Sequence, residues 1–263
     1  MDLGIAGERA LILGGTQGLA FSAAKFLHEA GVKLALNGRD PAHGAAAVEA
    51  LDGGVHGAPV FVQGDVSDPQ QRGPIYRAAV EAIGVPSILI TNAGGPPPGG
   101  FFEHDQDAWL KAIHTNMLSA IEMAHLSLPA MIEAGWGRIL NVTSFAVREP
   151  YPNLMLANAV RAGLHGAMST LAREVAEKGV TVNNVLPGLM DTGALERVYN
   201  AQSLRDDISV DEVKARMAEA VPTKRLGEAD DFGPACAFLC SRHASYITAQ
   251  NLTVDGGLVK ALL

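Results

Sequence analysis

Leu11-Ile12-Leu13-Gly14-Gly15-Thr16-Gln17-Gly18-Leu19-Ala20 joins a short apolar run to a helical pattern through three glycines. Glycines at such a junction permit a tight turn and let backbone amides approach a diphosphate, whose charge then faces the positive end of the helix. Ala10–Leu13 reads as a strand, and Leu19–Ala30 has helical periodicity that stops at Gly31. Working outward, short apolar runs recur at Val32–Leu36, Val60–Val62, Ile88–Thr91, Arg138–Val142, Val180–Leu186 and Asn251–Val254. Longer helical stretches separate them. Strands alternating with helices imply βαβ crossovers and a parallel sheet. Because the strand runs are continuously apolar rather than alternating, both faces of that sheet should be covered.

No linker, repeat or low-complexity tract interrupts the pattern, so residues 1–263 are expected to form one α/β domain. The net charge is −8 and there is no basic block, which argues against a nucleic-acid partner. No apolar run approaches ~18 residues and the start lacks a secretory pattern, so no membrane partner and a cytoplasmic location are expected. Cys236 and Cys240 are four apart in an apolar run. That spacing suits two buried, inert thiols on one helix face better than a disulfide or a ligand pair. No second Cys/His cluster completes a metal site, so none is expected.

The glycine loop resembles the Thr-Gly-x-x-x-Gly-x-Gly motif of the short-chain dehydrogenase/reductase family, with Leu13 in place of the Thr and Ala20 in place of the last Gly. The resemblance continues in order along nearly the whole chain. Asp65-Val66 matches the pair that the family uses at the adenine, and Asn92-Ala93-Gly94 its strand end beside the cofactor. Asn116 falls at the family's helix asparagine and Ser144 at its active-site serine. Pro187-Gly188 through Thr192 matches the segment that wraps the nicotinamide, and Tyr246 through Gly257 the C-terminal signature. The fold implied is a Rossmann-type doubly wound parallel sheet with helices on both faces. The implied dinucleotide contacts are Gly14, Thr16, Gln17, Gly18, Leu19, Asp65, Val66, Asn92, Ala93, Gly94, Pro187, Gly188 and Thr192.

Cofactor choice in this family turns on the end of the second strand, here Asn37-Gly38-Arg39. An acidic residue at this point would bind ribose hydroxyls and repel a 2′-phosphate. Asn37 is not acidic, and the planar fork of Arg39 suits a phosphate. Gln17, where many NADP-binding relatives carry a base, and Asp40, adjacent to Arg39, weigh the other way. NADP is expected, with NAD possible.

The family's chemistry rests on Asn, Ser, Tyr and Lys, with Tyr-x-x-x-Lys about a dozen residues after Ser. Thirteen residues past Ser144 stands Ala157, and Arg161 occupies the Lys position. Ala157 has no proton to give. Arg161, one turn on along the same helix face, can donate to ribose hydroxyls but is no acid near neutral pH. Pairing with a nearby carboxylate is the other reading of Arg161. Tyr151 is a candidate substitute phenol, against an ordinary half-buried loop residue; a water held by Asn116 and Ser144 is another proton source. His165 reads as a packing residue or subunit contact. The candidate catalytic set is therefore Ser144, Asn116, Arg161 and Tyr151.

On the substrate side, residues 193–221 resemble the family's helical lid, with charges on solvated faces, and Phe101, Phe102 and Trp109 read as core packing or pocket border. The resemblance implies hydride transfer between NADP(H) and a small carbonyl or alcohol substrate, in a homo-oligomer (tetramer or dimer). Ala157 keeps two other readings open, a catalytically silent dinucleotide-binding sensor or partner subunit, and an isomerase or lyase that needs no carbonyl acid.

Overall fold

A computed structural model describes residues 1–53 and 57–262. Its strands are β1 (Arg9–Ile12), β2 (Lys33–Gly38), β3 (Val60–Gln63), β4 (Ile88–Thr91), β5 (Gly137–Val142), β6 (Val180–Pro187) and β7 (Asn251–Val254). Between them run α1 (Gly18–Glu29), α2 (Pro41–Ala50), α3 (Pro69–Ile83), α4 (Gln106–Ile113), α5 (Ser119–Glu133) and α6 (Met155–Val175). After β6 come α7 (Gly193–Asp206), α8 (Val210–Ala220) and α9 (Ala229–Leu239). Each strand expected from the sequence is present, with ends shifted by no more than two residues.

All seven strands are parallel, in the order β3-β2-β1-β4-β5-β6-β7. The order reverses between β1 and β4, which leaves a crevice at their carboxyl ends. Strand residues alternate between two cores. Ala10, Ile12, Leu34, Leu36, Ile88 and Ile90 pack with Ala23, Leu27, Phe232 and Cys236 of α1 and α9. Leu11, Ala35 and Leu89 point the other way, into Ile75, Met123, Leu164 and Met168 of α3, α5 and α6. With both faces buried, neither set of positions has reason to be polar. The continuous apolar runs follow from this.

One row of the sheet breaks the pattern. Thr91, Asn141, Asn184 and Asn251 are register partners on β4, β5, β6 and β7. Their side chains form a chain of hydrogen bonds, Thr91 Oγ1 to Asn141 Oδ1 at 2.7 Å, Asn141 Nδ2 to Asn184 Oδ1 at 2.9 Å and Asn184 Nδ2 to Asn251 Oδ1 at 2.7 Å. Buried amides need such partners. The row ties four neighbouring strands together, from the carboxyl end of β4 to the first residue of β7.

Cys236 and Cys240 are free, buried thiols on α9, and burial pushes both well up in pKa, Cys240 to about 12. Among the described residues no helix is long and apolar enough to cross a membrane, and no group of three or more His, Cys, Asp or Glu is placed to hold a metal.

Candidate active site

The β1–α1 turn lies at the reversal point of the sheet. Gly14 has φ +57°, and a Cβ there would stand 2.7 Å from Asn92 Nδ2. Glycine is therefore required both by backbone conformation and by the approach of β4. Asn92 Nδ2 donates to the Gly14 carbonyl at 3.4 Å, joining the two strand ends. Gln17, exposed, is the N-cap of α1 and makes no side-chain cap bond; the first turn has no acidic residue. Its amides are thus free for an anion. Thr16 packs beside Gly38 at the end of β2, Leu19 is half-buried, and Gly18 faces Thr192.

Just past the end of β2, Arg39 is 77% exposed and lies 3.7 Å from Asp65 Oδ2. Asp40, which the sequence placed as a partial counterweight to Arg39, instead caps α2 through the amide of Ala42 and pairs with His43. Helix capping won over the neighbouring charge. Asn37 is buried, donating to the carbonyls of Val62 and Gly64 at 3.1 Å each. The carbonyl of buried Val66 accepts from Arg72 Nε at 2.8 Å. Arg72, itself fully buried, also meets the His114 carbonyl and Glu122 at 2.8 and 2.6 Å.

That His114 carbonyl opens a π turn, His114–Leu118, through which α4 runs into α5. Asn116 sits in the turn and donates from Nδ2 to the Gly94 carbonyl at 3.0 Å, while its Oδ1 is buried without a partner. Such wide turns inside helices often mark functional sites.

Ser144, at the end of β5, accepts from the amide of Ala146 at 3.1 Å. Arg161, on α6, donates from Nη1 to the carbonyl of Thr143. Its Nε is buried without a partner, and no carboxylate among the described residues lies within ion-pair distance of it. Burial pulls the guanidinium pKa down to about 10, so it remains charged at neutral pH. His165, one turn later and buried, meets Thr143 Oγ1 at 2.8 Å. Burial, then the charges of Arg161 and Arg148, lower its pKa to about 4.

Asn92, Ala93, Asn116, Thr143 and Arg161 line one narrow cavity. Ser144 and Tyr151 do not line it. The Tyr151 ring instead packs edge-on against Phe145, 5.4 Å between centroids, in an apolar cluster with Tyr199, Val213 and Met217 of α7 and α8. Its backbone carbonyl accepts from Asn158. Phe101 and Phe102 correct the sequence expectation. They are 68% and 96% exposed and stack edge-to-face on each other, while Trp109 packs against Leu156 and Val160. Lys214 of α8 pairs with Asp191 at 3.1 Å, and Tyr199 donates to the same carboxylate at 3.3 Å. Beyond Thr192, Gly188 is so close to Asp255 that a Cβ would lie 2.5 Å from the Asp255 Cβ. The Pro187-Gly188 segment and the C-terminal signature thus meet.

The family model described as enoyl-(acyl carrier protein) reductase matches residues 14–259. The chain belongs to the short-chain dehydrogenase/reductase family. Among curated members of the family, 2,3-dihydroxy-2,3-dihydro-p-cumate dehydrogenase of Pseudomonas putida is 30% identical over 97% of this chain and 95% of its own. The 3-oxoacyl-[acyl-carrier-protein] reductase of Haemophilus influenzae is 31% identical over 96% and 98%. Of solved short-chain dehydrogenase/reductase structures, L-sorbose reductase of Gluconobacter frateurii with NADPH and L-sorbose superposes at TM-score 0.94, with 25% identity and both chains covered in full. An actinorhodin polyketide ketoreductase with NADPH superposes at 0.91, with 28% identity over 97% and 98%.

Thr143, Arg72 and the Asn37 anchor escaped the sequence reading. No motif marks them, because each works through a main-chain carbonyl or a partner distant in sequence.

Proposed function

We propose that this short-chain dehydrogenase/reductase transfers hydride between NADP(H) and a carbonyl or alcohol substrate, taking the carbonyl proton from water. The observation that carries the reading is the convergence of Asn92, Ala93, Asn116 and Arg161 on one cavity beside the Gly14 loop. The unpartnered Asn116 Oδ1 and the uncapped amides of α1 fit a dinucleotide in the crevice. When bound, NADPH supplies the hydride. The residues that would hold it are Gly14, Thr16, Gln17, Gly18 and Leu19 at the diphosphate, Asp65 and Val66 at the adenine, and Arg39 at the 2′-phosphate. Asn92, Ala93, Gly94, Arg161, Pro187, Gly188 and Thr192 would flank the nicotinamide half. The NADPH complexes of the L-sorbose reductase and the ketoreductase support this cofactor over NAD.

In this reading Arg161 takes over the binding role of the family's lysine, orienting the ribose through fixed N–H donors. Asn116, in the cavity, and Ser144, which follows Thr143 of the cavity wall, hold the water that delivers the proton, since Ala157 supplies none and Tyr151 is turned into the lid cluster. Residues 193–221 form the lid. The Ala- and Gly-rich outer face of α6 suits packing on a second copy, so a dimer or tetramer belongs to the proposal.

Ala157 also favours a second reading, a dinucleotide-binding protein that does not turn over. Fluorescence titration with NADPH, followed by NADPH oxidation with a panel of carbonyl compounds, separates the two. Micromolar binding with oxidation supports the enzyme. Binding without oxidation across the panel supports the silent protein, and absence of binding removes both.

A further inference from the structure

Among the described residues the Arg161 guanidinium has no counterion. It has five N–H donors, of which one meets the Thr143 carbonyl while the sealed Nε meets nothing. The cavity it lines contains Thr91, Asn92, Thr115, Asn116, Ser119 and Thr143, with no acidic side chain. His165, one turn further along α6, has no anionic form that could match it. Leaving a half-buried cation unmatched is costly, and the usual solution is a carboxylate partner or a ligand. A ribose diol would satisfy donors yet leave the charge unmatched.

Helix side chains lean towards the N-terminus of their helix, so Arg161 leans towards position 157. Ala157 offers only a methyl group there. In the loop after β4, a Cβ added to Gly95 would meet Arg161 Nη2 at 3.7 Å, an ordinary contact. No side chain of Gly95 shields the cation from this loop.

We propose that Arg161 receives a carboxylate of the substrate over Ala157, so that the substrate is a carbonyl compound bearing a carboxylate next to the carbonyl carbon, a 2-oxo acid or its 2-hydroxy acid. The inference rests on the proposed oxidoreductase reading and narrows its substrate class. A planar guanidinium and a planar carboxylate make two parallel hydrogen bonds, which orients the neighbouring carbonyl as well as binding it. In reduction, a C–H bond forms at the carbonyl carbon from the hydride, the C=O π pair passes to oxygen, and water protonates that oxygen. The carboxylate is unchanged.

Calorimetry of oxalate, and of its neutral isostere oxamide, binding to the NADP⁺-loaded protein tests this. Oxalate is expected to bind, oxamide to fail, and Arg161→Met to weaken oxalate more than tenfold, with Arg161→Lys in between. Ala157→Leu, which fills the space and retains the charge, is expected to weaken oxalate by a similar factor. Absence of oxalate binding to the loaded wild type, equal binding by oxamide, or undiminished binding in Arg161→Met or Ala157→Leu would overturn the proposal. The same oxalate titration without cofactor distinguishes the two readings. Arg161-dependent oxalate binding by a protein that does not bind NADPH would remove the oxidoreductase reading and leave the anion site standing.

Discussion

His165 Nε2 lies 2.8 Å from Thr143 Oγ1, and the carbonyl of that same Thr143 receives Arg161. Threonine 143 is thus gripped from both ends by one face of α6. Because the imidazole is buried beside Arg161 and Arg148, its pKa falls from 6.5 to about 4.

This depression has a sign. Between pH 6.5 and about 4 the unfolded chain binds the His165 proton and the native chain does not, so the native state loses stability as pH falls through that window. A shift of this size is worth about 3 kcal/mol. Urea unfolding at several pH values should show the wild type losing about that much more than His165→Gln between pH 6.5 and 4. Parallel curves for the two proteins would show that the histidine is not held neutral.

Asn141 sits in the middle of the hydrogen-bonded row, between Thr91 and Asn184. Replacing it with Leu leaves both neighbours short of a buried partner, and the expected loss is about 2–4 kcal/mol in unfolding free energy. Thr91→Val, at the end of the row, should lose less. A denaturation midpoint for Asn141→Leu equal to that of the wild type would contradict the coupling.

Arg39 is exposed and only loosely tied to Asp65. If it meets the 2′-phosphate, Arg39→Ala should raise the Kd of NADPH about tenfold, the equivalent of one charge-assisted hydrogen bond. NADH binding should be unchanged, since NADH lacks that phosphate. Equal weakening of both cofactors would remove Arg39 from the choice.

Restoring the family pair should change turnover. A carbonyl compound without a carboxylate, which the wild type reduces slowly, should be reduced about 10²-fold faster by the Ala157→Tyr, Arg161→Lys double variant, the scale of a positioned acid. Tyr151→Phe should leave the wild-type rate within twofold, because that ring packs on Phe145 outside the cavity. A tenfold loss on Tyr151→Phe would make Tyr151 the proton donor after all.

The positions of β1 to β7, the glycine loop and the buried cysteines were legible in the chain itself. Their signals are local: apolar runs between breakers, and a strand-glycine-helix junction whose backbone allows few alternatives. The absence of a phenol at Ala157 is also a fact of sequence. What only the tertiary structure decided was the company each polar group keeps. Asp40 turned to cap α2, Phe101 and Phe102 turned outward, and Tyr151 joined the apolar cluster of α7 and α8. Arg161 took the Thr143 carbonyl and was left without a carboxylate. Elements far apart in sequence converge on each of these groups, and the balance among desolvation, capping and packing exists only after the sheet has brought them together.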